Sequence, residues 1–217
     1  MAADRPNFVF AVKEGCREMS KPTTGSIRRL RRIGRYLKMH TRLVWKYEMQ
    51  GEVNEITVRT DADWAGCRRS RKSTSGGILH FGGVAVKALS SNQNVIALSS
   101  GEAEYYAALK GASAALGFQS MLRDLGMQGA NTLYTDSSAA RGIIHRAGLG
   151  KLRHLETGHV WLQSAVKAKK LQVRKVLGIE NLADLMTKHL ACPDMWKHLS
   201  KLRVAPEEGR STAVPRI

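Results

Sequence analysis

Residues 1–50 carry a helical pattern of apolar and basic positions. Within 26–40 the apolar residues fall on one helical face, and Lys or Arg covers most of the remainder. The break at 22–26, with Pro and Ser/Thr residues, supplies N-cap candidates for this helix. The cations of 28–38 have no acid between them, whereas an ordinary solvated face mixes charges of both signs. The pattern therefore predicts a basic helical segment whose cations track phosphates, with a solvated face as the plainer alternative.

The pattern changes to the alternation of strands after residue 50. The run 56–60 places apolar side chains on one face, as in a half-buried strand. The runs 78–81 and 84–89 flank Gly82-Gly83, which is a hairpin signal. Three successive antiparallel strands are therefore predicted, with 56–60 as the first.

Helices and strands alternate along the rest of the chain. A helix is predicted after Ser99, with acids in its first turn, and it ends near Gly126. The elements predicted next are a strand at 132–135, helices at 139–146 and about 154–168, a strand at 171–177 and a last helix from 181. This order predicts an α/β domain over 51–192, with a mixed sheet covered by helices. Beyond Pro193 the periodicity weakens, so 193–217 is predicted to be a C-terminal tail.

Four acids stand where predicted strands end or predicted helices begin. In chain order they are Asp61, Glu102, Asp136 and Asp184. If these ends share one edge of the sheet, the carboxylates converge and repel one another unless cations lie between them. Oxygen ligands suit Mg²⁺ or Mn²⁺, and two such ions can clamp a phosphodiester for in-line attack. Each acid could instead be a turn residue or complement a helix dipole, because spacing alone does not establish the order of the strands.

The charge of the chain favours a polyanionic partner. The chain has 35 Lys and Arg against 18 Asp and Glu, a net charge of +17. Nucleic acid is the favoured polyanion over a membrane surface, because no amphipathic anchor with bulky aromatic residues is visible. An intracellular location, cytoplasmic or nuclear, is expected because neither an apolar run of ~18 residues nor a signal peptide is present. The three cysteines have no metal-ligand spacing.

Six sequence blocks resemble the ribonuclease H region of Ty1/copia-type retrotransposon polyproteins. They occur in order as TDADWAGC at 60–67, RKSTSGG at 71–77, SNQNVIALSSGEAEYYA at 91–107, YTDSSAA at 134–140, RHLE at 153–156 and NLADLMTKHL at 181–190. Residues 5–46 resemble the segment that joins the reverse transcriptase to that region, whereas the polymerase's own catalytic block is absent.

The resemblance implies an RNase H-like fold, with a five-stranded mixed sheet in the order 3-2-1-4-5. It implies two-metal hydrolysis of the RNA strand of RNA–DNA hybrids during retrotransposon reverse transcription, with the polymerase part of the same polyprotein as a partner. Carried over by motif, the catalytic and metal-binding acids are Asp61, Glu102, Asp136 and Asp184. The family pattern favours Glu102 over Glu104, and residues two apart on a helix point in roughly opposite directions, so one of them reaches the metals.

Several residues around these acids carry further expectations. Asp63 is expected to have a turn or supporting role, and Trp64 to pack beneath the loop. Gly101 stands where the family usually has Thr, which is expected to loosen the helix cap. The basic residues expected to grip the hybrid are Arg68, Arg69, Arg71 and Lys72, with Arg28 and Arg32 as an outlying grip.

Two other functions compete with the nuclease. One is a catalytically inactive nucleic-acid-binding remnant of the polyprotein, and the other is a DNA-processing relative such as an integrase. The presence of all four acids favours the nuclease over the remnant. An acid in the first turn of the last predicted helix fits an integrase less well.

Overall fold

The computed structural model describes residues 5–148, 150 and 160–209. The helices are α1 (Val9–Cys16), α2 (Thr24–Met39), α3 (Ser100–Asp124), α4 (Ser138–His145), α5 (Trp161–Lys167) and α6 (Cys192–Lys201). The strands are β1 (Arg42–Trp45), β2 (Glu55–Asp63), β3 (Thr74–Phe81), β4 (Val84–Asn92), β5 (Ala130–Thr135), β6 (Gln172–Lys175) and β7 (Val204–Glu207). Two 3-10 turns, Gly178–Glu180 and Leu182–Met186, lie between β6 and α6.

Five strands form the central mixed sheet, in the order β4-β3-β2-β5-β6. The first three strands along the chain pair antiparallel, and β5 and β6 add in parallel. Gly82, at φ +57, makes the turn between β3 and β4. Counted within the sheet, the order is 3-2-1-4-5, so the predicted α/β, RNase H-like fold is confirmed.

Apolar clusters cover both faces of this sheet. Ile78 and Leu79 are neighbours on β3, and they belong to different clusters because successive side chains of a strand point to opposite faces. The cluster around Leu79 packs against α3, α4 and α5. The other cluster is completed by residues of the Leu182–Met186 turn, α6 and β7.

Small residues let α3 lie close to the sheet. A Cβ atom added at Gly111 would lie 2.3 Å from Cγ2 of Thr60 on β2. Helix α3 starts with the side chain of Ser99 accepting a hydrogen bond from the backbone N–H of Glu102, and Gly126 follows its C-terminal end at φ +76. Both predicted ends of this helix are therefore confirmed.

The predicted C-terminal tail, 193–217, is wrong for residues 193–207, which form most of a helix and a strand. Helix α6 buries Leu199 against the sheet, and β7 pairs antiparallel with β1, with Arg42 opposite Glu207. Each of these strands has four residues, too few to show alternation, and they lie far apart along the chain. Their pairing is a long-range contact that local periodicity does not report. Residues 210–217 lie outside the described residues.

The region between β6 and α6 also differs from the predicted last helix. The segment from Leu182 to Met186 is a short 3-10 turn, and a separate helix starts at Cys192 with Pro193 in its first turn. The predicted helix at about 154–168 is present as α5 from Trp161, whereas 151–159, including the RHLE block, lie outside the described residues.

The N-terminal segment contains two helices. Helix α2 begins with a capping box formed by Thr23 and Ser26, as the break at 22–26 predicts. Helix α1 packs on the sheet domain through Phe10, whose ring lies 4.8 Å from that of His189. Within the described ranges, no helix combines the length and the apolar character needed to cross a membrane.

Candidate metal centre

Asp61 lies within β2, two residues before the strand ends, and its side chain is 2% exposed. The hydroxyl of Thr187 donates to its Oδ2, and Nζ of Lys188 lies 3.4 Å from its Oδ1. Opposite Asp61, a Cβ atom added at Gly76 would lie 2.5 Å from Cγ2 of Thr187. The glycine therefore makes room for the threonine that holds Asp61.

Three carboxylates converge at this end of the sheet. Asp61, Glu104 and Asp136 each offer one oxygen, and these oxygens all lie within 4.8 Å of one another. Asp136 directly follows β5, the parallel neighbour of β2, so the two aspartates meet at the same end of the sheet. Glu104 is fixed to β2, because its Oε1 accepts a hydrogen bond from the backbone N–H of Ala62 at 3.1 Å.

The glutamate in this cluster is Glu104, whereas Glu102 was expected. Oε2 of Glu102 accepts a hydrogen bond from the backbone N–H of Leu98 at 3.0 Å, in the loop before α3. A signal in the sequence could have identified Glu104. It lies seven residues, or two helical turns, before Gly111, which faces β2, whereas Glu102 is out of phase with that glycine.

Asp184 joins the centre from the Leu182–Met186 turn. Its Oδ1 lies 2.7 Å from Nζ of Lys188, so one ammonium group pairs with both Asp184 and Asp61. Burial raises the pKa of the Asp184 carboxyl, and the charges of Asp61 and Asp136 raise it further. The structure therefore brings three of the four predicted acids to one end of the sheet, together with Glu104.

The carboxylates cannot easily all carry a negative charge in this position. Burial, followed by the charge of Asp61, raises the pKa of Glu104 to about 9. The same two causes raise the pKa of Asp136. Oε2 of Glu104 is buried and has no hydrogen-bond partner among the described residues. A set of oxygen donors with an unsatisfied buried oxygen and excess negative charge fits a hard divalent cation such as Mg²⁺ or Mn²⁺.

The predicted basic residues lie at the surface. The loop that follows β2, at the acidic end of the sheet, contains Arg68, Arg69, Arg71 and Lys72. The three arginines are exposed and Lys72 is half-buried. Backbone hydrogen bonds between Cys67 and Lys72, and between Arg71 and Cys67, close this loop. Arg28 and Arg32 are exposed on α2.

Of two neighbours of the centre, Asp63 has the expected supporting role and Trp64 is more exposed than expected. Asp63 accepts a hydrogen bond from the backbone N–H of Thr74 at 2.5 Å, which is a supporting role at the strand end. Trp64 is 52% exposed and donates from Nε1 to the carbonyl of Ala97, so it does not pack fully beneath the loop.

Gly101 does not loosen the start of α3, because the Ser99 cap is formed. A Cβ atom added at Gly101 would lie 2.7 Å from Cβ of Ala139. The glycine therefore permits close packing between the starts of α3 and α4.

Known proteins similar to this chain include transposon polyproteins. No known protein family profile matches the chain. It is 30% identical over 190 residues to the retrovirus-related Pol polyprotein from transposon TNT 1-94 of Nicotiana tabacum, which is 87% of this chain and 14% of that protein. It is 28% identical over 207 residues to the corresponding polyprotein from transposon RE1 of Arabidopsis thaliana, which is 94% of this chain and 14% of that protein.

Among solved structures, the chain is similar to RNase H1 from the halophilic archaeon Halobacterium salinarum, with a TM-score of 0.42 and 14% identity. The similarity covers 62% of this chain and 95% of that one. The homologues of the chain are retrovirus-related Pol polyproteins of plant copia-type transposons, and the chain spans 14% of the length of each of these two relatives.

Proposed function

We propose that this chain is a ribonuclease H, which hydrolyses the RNA strand of RNA–DNA hybrids during retrotransposon reverse transcription. The observation that carries the proposal is the meeting of Asp61, Glu104 and Asp136 within 4.8 Å at the end of the two central strands. The homology to Pol polyproteins supports the same function, and the polymerase part of such a polyprotein is the partner that we expect.

Two divalent ions, Mg²⁺ or Mn²⁺, are the proposed cofactors. Asp61, Glu104 and Asp136 would hold them, with Asp184 completing the set. When bound, such ions lower the pKa of the attacking water and neutralise the charge that develops on the phosphate. The chain supplies no nucleophilic side chain in this mechanism, so its task is to hold carboxylate oxygens in fixed positions.

The surrounding residues keep these oxygens in place. Thr187 orients Oδ2 of Asp61, and the backbone N–H of Ala62 orients Glu104. These two acids are thereby tied to β2 and to the turn that packs against it, so their spacing follows from the sheet.

Binding of the hybrid is assigned to the exposed cations. The loop that contains Arg68 and Arg69 leaves β2 at the end of the sheet where Asp61 lies, so it can contact phosphates next to the cleaved bond. Such contacts neutralise phosphates and release counterions, which makes binding dependent on salt. Recognition of RNA rather than DNA requires contacts to 2′-hydroxyl groups.

The experiment is cleavage of an end-labelled RNA–DNA hybrid with Mg²⁺, with duplex DNA and duplex RNA as other substrates. We expect cleavage of the RNA strand of the hybrid. Asp61→Asn and Asp136→Asn should each reduce the rate by more than about 10³-fold, because each removes a charged ligand without changing side-chain volume. Asp194→Asn, at an exposed position on α6, is the matched control and should cleave like the wild type.

Two results would contradict the proposal. If both variants cleaved at the wild-type rate, the assigned acids would be wrong. If the wild type bound hybrids with steep salt dependence but cleaved them with neither metal, the chain would be the inactive nucleic-acid-binding remnant.

A further inference from the structure

Lys188 places a positive charge between two acids of the centre. Its Nζ lies 2.7 Å from Oδ1 of Asp184 and 3.4 Å from Oδ1 of Asp61. Its backbone N–H donates to the carbonyl of Asp184 at 3.0 Å, so the end of the Leu182–Met186 turn aims the side chain at the acids. The position of this ammonium group is therefore built into the fold.

Both oxygens of Asp61 are engaged in this arrangement. Thr187 donates to Oδ2, and Lys188 pairs with Oδ1. A divalent ion that binds Asp61 needs one of these oxygens. Thr187 is buried, whereas the side chain of Lys188 is 43% exposed, so the lysine is the group with room to move away.

We propose that Lys188 is a built-in competitor of the divalent ion for Asp61 and Asp184, which sets the concentration of metal that the centre requires. The inference rests on the proposed function, because it assumes that these acids bind metal. Without a divalent ion, the ammonium group offsets part of the negative charge of the carboxylates. A divalent ion bound to Asp61 would repel the ammonium group that lies beside the same carboxylate. Binding of the ion therefore requires that the lysine withdraw into solvent.

The test is binding of Mn²⁺ alone, without nucleic acid, measured by titration calorimetry and by the electron paramagnetic resonance signal of free Mn²⁺. Lys188→Met removes the charge and keeps most of the side-chain volume, and Lys188→Arg keeps the charge. Lys197→Met, at an exposed position on α6, is the matched control for the loss of one positive charge. Thermal unfolding checks that each variant folds, and Lys188→Gln replaces Lys188→Met if that variant does not fold.

We expect Lys188→Met to bind Mn²⁺ about fivefold more tightly than the wild type, the factor that corresponds to loss of one partly exposed ion pair. Lys188→Arg and Lys197→Met should bind like the wild type. An unchanged or weaker affinity in Lys188→Met, with Mn²⁺ binding that is lost in Asp61→Asn, would overturn the role of Lys188 and leave the metal centre standing. If neither the wild type nor Lys188→Met bound Mn²⁺, the proposed metal-dependent function would be overturned as well.

Discussion

The acidic end of the sheet and the basic helix α2 are constructed in opposite ways. Two of the acids, Asp61 and Glu104, are buried at 2% and 9% exposure, and both are held by hydrogen bonds to neighbouring elements. The cations of α2 are exposed, and so are its apolar residues Ile27 and Leu30, the latter 58% exposed. Burial gives each acid an individual position, whereas exposed cations act through their summed charge. Single substitutions should therefore have large effects at the acids and small ones on α2.

Helix α1 belongs with the sheet rather than with α2. Lys13 donates to the hydroxyl of Thr74 at 2.6 Å, and Arg17 donates to Oδ1 of Asn92 at 2.5 Å. These contacts reach the end of β4 and the start of β3, and β3 pairs with the strand that carries Asp61. The N-terminal segment, expected as one unit over 1–50, thus contains one helix packed on the domain and one with an exposed apolar side.

After Asp61 and Asp136, the largest effect is expected at Glu104. Glu104→Gln should reduce hybrid cleavage by more than about 100-fold, because residues that only support metal ligands already cost about 10–100-fold. Glu102→Gln is the matched control two residues away, and its cleavage rate should stay within about threefold of the wild type. Its free energy of unfolding should fall by about 0.5–1 kcal/mol, because a negative charge is lost near the N-terminus of α3. The reverse order of effects on cleavage would restore Glu102 as the metal ligand.

The next largest effect is a difference in the free energy of unfolding between variants of the two N-terminal helices. Phe10→Ala should lower the free energy of unfolding by about 3 kcal/mol, because a buried ring is removed from its contact with His189. Leu30→Ala on α2 should change it by less than about 0.5 kcal/mol, because that side chain is largely exposed. Urea denaturation followed by circular dichroism measures both values. Equal values for the two variants would mean that α1 is no better packed than α2.

A smaller loss of stability is expected where α3 meets β2. Gly111→Ala should lower the free energy of unfolding by about 1–3 kcal/mol, because the new methyl group overlaps Thr60 beside Asp61. Gly117→Ala, on the same helix, should raise the free energy of unfolding by about 0.5–1 kcal/mol, because no atom of the described residues lies within 4 Å of an added Cβ. The pair is compared by urea denaturation. A stabilising Gly111→Ala would contradict the close approach of helix and strand.

The smallest effects are expected for exposed cations. Replacing Arg68 and Arg69 together by Gln should reduce hybrid affinity, and the slope of log affinity against log salt should fall by about 2, one for each lost phosphate contact. The same change at Arg28 and Arg32 should have a smaller effect, because α2 is an outlying grip.

The control for the cations is the exposed pair Lys169 and Lys170, which precedes β6 at the opposite end of the sheet from the acids. Its replacement by Gln should leave the salt slope unchanged. Fluorescence anisotropy with a labelled hybrid, across a salt series, measures all three double variants. Equal losses in all three would mean that the whole positive surface, rather than the loop after β2, binds the hybrid.

The sequence by itself determined the elements whose causes are local. The alternation at 56–60, the glycines of the hairpin and the Ser99 cap are each read within a few residues, and the structure has each of them. Asp61 and Asp136 were identifiable for the same reason, because Asp61 lies close to the end of β2 and Asp136 directly follows β5.

Only the tertiary structure decided which distant residues meet. The choice between Glu102 and Glu104 depends on how α3 is rotated against β2, and the role of Lys188 depends on the docking of the Leu182–Met186 turn. The pairing of β1 with β7 is a contact of the same kind. Local periodicity describes a residue's place within its own element, whereas these contacts arise from the packing of one element on another, through burial and hydrogen bonds that join residues far apart in the chain.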